Sequence, residues 1–154
     1  GATVEFGIGR IPQAVTEFLK SKRDLGIHTE MFTDAIIDLI ESGAVTGARK
    51  VVDRGRVTAS FCMGTRRLYD YIDNNPAFAF YPTEYVNDPY RIAQNDKMVS
   101  INSAIEVDLT GQVCADSMGP KIYSGVGGQV GWWRRWRRSS PCPRPGRGRG
   151  PTSR

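Results

Sequence analysis

Short β-branched segments alternate with apolar stripes at helical spacing along most of this chain, and that alternation restricts the fold more than any other feature. ATVEFGI (2–8) reads as a strand, followed by a Gly7-Ile8-Gly9 turn. Ile11, Ala14, Val15, Phe18 and Leu19 then keep helical spacing, with Pro12 in the first turn, where a missing N–H costs nothing. Leu25–Ile27 begins a second short strand. Met31, Phe32, Ala35, Ile36, Leu39 and Ile40 make a second helical stripe that Gly43 ends. VTASFCMG (57–64) is a strand, RRLYDYIDNNP a helix stopping before Pro76, and FAFYPTEYVNDP an extended stretch broken by prolines. Residues 98–116 alternate well enough for two strands around a turn at TGQ, and KIYSGVGGQV is a strand entering a glycine-rich loop. Strands alternating with helices predict an α/β fold with an open, largely parallel sheet and flanking helices. The 154 residues suffice for one domain, or for a fragment of one.

Charge is unevenly distributed. Residues 1–130 hold 13 Lys and Arg against 16 Asp and Glu, whereas residues 131–154 hold eight Arg and no acid. The net +5 therefore belongs to the tail and gives no reason to read the body as a nucleic-acid binder. In that tail, Arg, Trp, Gly and Pro fill 19 of 24 positions. Such a segment cannot build a packed core, and disorder is expected there. Interleaved Arg and Trp in WWRRWRR suit a nucleic acid or an anionic membrane surface. The abrupt change after Val130, into residues that G/C-rich codons encode, equally suits a shifted reading frame. Cys62, Cys114 and Cys142 are odd in number and widely spaced, which fits neither a disulfide framework nor a zinc site, and no metal is expected. Cys62 and Cys114 read as small core residues in a reducing, cytoplasmic compartment. No apolar run approaches the roughly 18 residues of a membrane span, so none is expected.

Three stretches are suited to chemistry. The glycine pair of EFGIGRIP, between strand and helix, lets backbone approach a phosphate or thioester while the helix N–H groups favour an anion. A dinucleotide site is disfavoured because the third glycine of that fingerprint is missing. In LGIHTEM, Glu30 lies where a strand meets a helix. Ligands of open α/β sheets gather at the carboxyl ends of strands, and a carboxylate there can serve as nucleophile or base. Spacing alone suits an ordinary acid in the first helical turn as well. His28, the sole histidine, reads as structural. The third stretch, SGVGGQVG, places Gly127 and Gly128 in a loop whose backbone can touch a ligand.

Together GIGRIPQAV, DLGIHTEMFTD, LYDYIDNNP, NDPYRIAQNDKMVSINSAIEVDLTGQVCADS and YSGVGGQV resemble the acetyl-CoA hydrolase/transferase family, in particular its 4-hydroxybutyrate and butyrate–acetate CoA-transferases. The resemblance runs from about residue 3 to Gln129. It implies a CoA-transferase-like (NagB/RpiA-like) fold, incomplete at its C-terminus, over residues 1–130, with residues 131–154 as a separate tail. It also implies a missing N-terminal domain, in keeping with a chain that starts almost directly on a strand, and a homo-oligomer when intact. Coenzyme A thioesters and small carboxylates are the implied substrates. Glu30 matches the family's nucleophile, passing through an acyl-glutamyl anhydride and a glutamyl-CoA thioester. If water intervenes, the reaction becomes acetyl-CoA hydrolysis. Gly7, Ile8, Gly9, Arg10 and Ile11 match a CoA-contacting loop, Gly127 and Gly128 a loop near the thioester, and Asn102 a nearby polar contact. A nucleophilic carboxylate needs no partner base, so His28 and Thr29 are expected to shape the site without forming a triad with Glu30.

Overall fold

In the computed structural model, residues 1–125 and Trp132 are described. The calls on Gly127, Gly128, Cys142 and all of the tail except Trp132 lie outside the described residues. Strand β1 (Thr3–Phe6) is paired in parallel on both sides, with β2 (Gly26–Ile27) and with β7 (Met98–Ile101). Beyond β2 a parallel bridge from His28 to Thr58 leads to β4 (Val57–Ala59), itself parallel to β6 (Phe78–Phe80). Further along the same two segments, β3 (Met31–Phe32) pairs in parallel with β5 (Phe61–Cys62). The result is the expected open α/β arrangement, with every pairing up to residue 101 parallel.

Helices α1 (Arg10–Leu19), α2 (Asp34–Glu41) and α3 (Arg66–Ile72) pack side by side. They cover the face from which Val4, Phe6, Ile27 and Phe32 project, and Ile36, Ile37, Leu39 and Leu68 fill the space between. Because side chains alternate along a strand, Glu5 and His28 point to the opposite face. There α4 (Thr83–Val86) and α5 (Pro89–Ala93) carry the chain from β6 across to β7 and bury Val86 and Ile92.

Lys50 is buried beneath this second face. Its Nζ donates to the Ile27 carbonyl (2.7 Å), the Arg56 carbonyl (2.7 Å) and Thr58 Oγ1 (2.9 Å), tying β2 to β4. Burial pulls its pKa down to about 8, opposed by the charge of Asp53.

Four expectations are corrected. Met31 and Phe32 belong to a strand, because backbone pairing with Phe61 and Cys62 outweighs their fit to the helical stripe, and α2 starts only at Asp34. The stretch 78–89 is not simply extended. Pro82 caps α4 and Pro89 opens α5, whose N-cap Asp88 accepts from Tyr90 N–H. The α1 stripe faces the core only in part: Leu19 packs against it, but Ile11 and Phe18 are exposed, while Pro12 and Thr16 are buried. Cys62 packs half-buried against the core as expected. Cys114 instead sits in the hairpin of β8 (Glu106–Val107) and β9 (Val113–Cys114), with Sγ near Ser117 O (3.2 Å) and Asp116 Oδ1 (3.5 Å). That hairpin turns at TGQ, where Asp108 accepts from Thr110 and Gln112 N–H. A second short hairpin, β10 (Ser117–Met118) with β11 (Lys121–Ile122), follows. Among the described residues no strand covers the outer side of β7, where Val99 is 44% exposed.

Candidate functional site

The chain leaves β1 for β2 on one side and returns, after β6, to β7 on the other. Strand order therefore reverses at β1, and in open α/β sheets ligands bind at the carboxyl ends of strands beside such a reversal. Gly7, Glu30 and Asn102 all lie there. Gly7 follows β1, and its N–H donates to the Ile101 carbonyl (2.8 Å); Asn102 follows β7. Glu30 is one residue past Thr29, whose Oγ1 accepts from Phe6 N–H and donates to the Phe6 carbonyl, each at 3.1 Å. Glu30 thus occupies an interruption between β2 and β3 and is not in a helical first turn, which removes the ordinary reading of this acid.

Each member of His28-Thr29-Glu30 is tied to a different neighbour. His28 is fully buried, with Nε2 2.9 Å from the Val86 carbonyl of α4. A carbonyl only accepts, so Nε2 carries a proton. Burial lowers the His28 pKa to about 4. Trp132 is buried against the ring edge-on, with centroids 5.5 Å apart. Thr29 clamps the segment to β1. The Glu30 carbonyl accepts from Ser60 N–H (2.9 Å), Ser60 Oγ (2.9 Å) and Phe61 N–H (3.2 Å), which pins the backbone at the interruption. The half-buried Glu30 carboxylate receives one side-chain hydrogen bond, from Asn87 Nδ2 to Oε2 at 2.9 Å. Asn87 also lines an open pocket of about 400 Å³ with Thr83, Glu84, Asp88 and Pro89.

The glycine turn is shaped by close approach. A Cβ at Gly7 would come within 2.0 Å of Asn102 Oδ1, so a larger residue there would displace the Asn102 side chain. Gly9 caps α1 at φ +135°, a conformation that favours glycine. Among the described residues no side chain caps the helix, and no acid occupies its first turn, an arrangement that suits an anion there. Ile8 and Ile11 are 70% and 59% exposed beside this turn, and Arg10 is exposed as well.

The family profile of the acetyl-CoA hydrolase/transferase C-terminal domain matches residues 64–140. The chain belongs to the acetyl-CoA hydrolase/transferase family. The matched span extends ten residues past Val130. This family member is 50% identical over 134 residues to the 4-hydroxybutyrate coenzyme A transferase of Clostridium kluyveri, covering 87% of this chain and 31% of that protein. It is 51% identical over 134 residues to a succinyl-CoA:acetate/propanoyl-CoA:succinate CoA transferase of Fasciola hepatica, covering 87% of this chain and 28% of that one. Its fold matches the crystal structure of 4-hydroxybutyrate CoA-transferase from Porphyromonas gingivalis with a TM-score of 0.77 at 42% identity, over 90% of this chain and 32% of the other. The chain thus spans about a third of the length of the relatives it matches.

Glu5 was not apparent from the sequence, although a carboxylate in the middle of TVEF is the signal that could have found it. It is 3% exposed, and its Oε2 accepts from Ser100 Oγ and from Asn102 Nδ2 (2.9 Å). Burial raises its pKa from 4.5 to about 7, and the charge of Glu30 adds to the rise. A carboxyl with a raised folded-state pKa lends stability below its unfolded pKa and loses it as pH rises through the folded value. Glu5→Gln is therefore expected to gain on the parent between pH 4 and pH 8 by about 3 kcal/mol, from roughly 1.4 kcal/mol per unit. Urea unfolding at the two pH values measures this. His28 acts in the opposite sense, since its stabilisation is lost as pH falls from 6.5 through about 4.

Proposed function

We propose that this chain is part of an acyl-CoA:carboxylate CoA-transferase of the 4-hydroxybutyrate/butyrate/acetate type, with Glu30 as nucleophile. The reading divides it into a C-terminal domain fragment, residues 1–130, and a tail, residues 131–154. Its main support is the placement of Glu30: a half-buried carboxylate at a pinned strand interruption, beside the reversal in strand order, holding one hydrogen bond from Asn87. Such a carboxylate is oriented yet only lightly satisfied, as an attacking oxygen should be.

In the first step a Glu30 oxygen attacks the thioester carbonyl, the C–S bond breaks, and CoA leaves as thiolate. The thiolate attacks the Glu30 carbonyl of the resulting anhydride and expels the donor's carboxylate, leaving a glutamyl-CoA thioester. An acceptor carboxylate then attacks that thioester and releases the thiolate. The thiolate attacks the acceptor's acyl carbon and returns the Glu30 carboxylate. Asn87 orients the nucleophile. The N–H groups at the start of α1 face the anionic reactants, and a donor on each tetrahedral oxyanion would be worth about 3 kcal/mol.

Incubation with butyryl-CoA, followed by intact-mass and peptide analysis, tests the assignment. A CoA-sized adduct on the Glu30 peptide, or its reduction by borohydride, is expected. Label on another residue would overturn it. CoA release that requires acetate identifies a transferase, whereas release in water alone identifies a hydrolase.

A further inference from the structure

We propose that Glu5 is a positioning residue for this site, holding the Asn102 amide over the Gly7 turn, at the end of the sheet where Glu30 interrupts β2 and β3. The proposal rests on the reading of Glu30 as nucleophile. Asn102 can present either end of its amide, because oxygen and nitrogen are nearly the same size. Here Nδ2 is committed twice, to Glu5 Oε2 (2.9 Å) and to Ser100 Oγ (2.7 Å), and Ser100 Oγ itself donates to Glu5. Oδ1 is therefore turned toward Gly7, close enough that a Cβ there would reach it at 2.0 Å. The orientation of Asn102 is thus set by a buried group on the central strand.

Glu5 suits this task because it cannot move. It sits opposite Ser100 in the register of β1 with β7, on a strand paired on both sides. The buried His28, one residue past β2, lies on the same face, as do Ser100 of β7 and Asn102 just beyond it. Among the described residues, Glu30 is the charged neighbour whose repulsion adds to the effect of burial on Glu5. A proton on Glu5 therefore relieves the site of a second negative charge where anionic carboxylates and thiolates must approach.

The test pairs a spectroscopic readout with a chemical one, both on the full 154-residue chain. In 15N-labelled protein, the Asn102 side-chain amide signals should move with a midpoint near pH 7, and Glu5→Gln should flatten that titration. In Glu5→Leu the amide protons should exchange with water about tenfold faster or more, and formation of the Glu30–CoA adduct should slow by a similar factor. Glu5→Gln, which keeps an acceptor oxygen, should restore the adduct rate at pH 6.5. A titration that persists in Glu5→Gln overturns the proposal, as does a Glu5→Leu protein with unchanged Asn102 exchange. Should Glu5→Leu fail to fold, the Glu5→Gln titration decides. If the parent forms no adduct, the nucleophile reading fails, while the Asn102 signals still report on Glu5.

Discussion

Glu30→Gln is expected to retain the fold and lose the covalent chemistry. Glutamine keeps the shape of the side chain and an oxygen that can accept from Asn87 Nδ2. The backbone anchors of residue 30, from Ser60 and Phe61, do not involve the side chain. A change at a half-buried position that leaves these bonds intact should shift stability by no more than about 0.5 kcal/mol. An amide oxygen, however, is a poor nucleophile and cannot return as a leaving carboxylate. The rate of adduct formation should fall by a factor on the order of 10⁴ or more. Asn87→Ala provides the comparison. It leaves the carboxylate in place without its orienting donor, so a smaller loss, about 10- to 100-fold, is expected. Mass spectrometry of both variants against time measures the two effects. An adduct that survives Glu30→Gln would remove this residue from the mechanism, whatever the family.

How much of this arrangement is readable in the chain depends on the range of the forces that set it. The strand at 2–8 and the helix of RRLYDYI are visible because local pattern and tertiary role agree, whereas 57–64, which reads as one strand, is broken at Ser60 into β4 and β5. Met31 and Phe32 fit a helical stripe equally well, and only their pairing with Phe61 and Cys62, some thirty residues away, makes them a strand. That pairing moved Glu30 from a presumed helix start to a strand interruption. The prolines at 82 and 89 looked like breaks because a proline can either end an extended segment or begin a helix, and local sequence does not say which. In α1 Ile11 and Phe18 of the apolar stripe point outward while Thr16 turns in, its hydroxyl donating to the Gln13 carbonyl at 2.6 Å. The Gly7–Gly9 pair was visible as a strand-to-helix turn and Asn102 through the family pattern, and the structure brings them to one end of the sheet. Their link to Glu5 depends on β7, almost a hundred residues further on, and no local spacing signals it.

Phe32→Ala should show that the site is held from below. Phe32 is fully buried, with its ring edge-on to Phe78 at 5.0 Å between centroids. It packs in the cluster that joins β1, α2 and α3. Truncating a buried phenylalanine typically costs 3–5 kcal/mol, from lost transfer energy and the cavity left behind. Against the 5–15 kcal/mol that hold an ordinary domain, that is a large fraction. The Phe32 carbonyl also accepts from Met63 N–H at 3.0 Å, two residues along the strand from Glu30. Loss of the ring is therefore expected to loosen the β3–β5 pairing that follows Glu30. Phe32→Leu, which refills part of the volume, should cost less than half as much. Urea unfolding of the two variants gives the stabilities, and adduct formation under conditions where each is fully folded gives the coupling to the site. If Phe32→Ala costs less than about 1 kcal/mol, the cluster does not support this strand. If it costs the expected amount yet labels Glu30 at the parent's rate, the geometry of the nucleophile is set by the hydrogen bonds at Thr29, Ser60 and Asn87 alone.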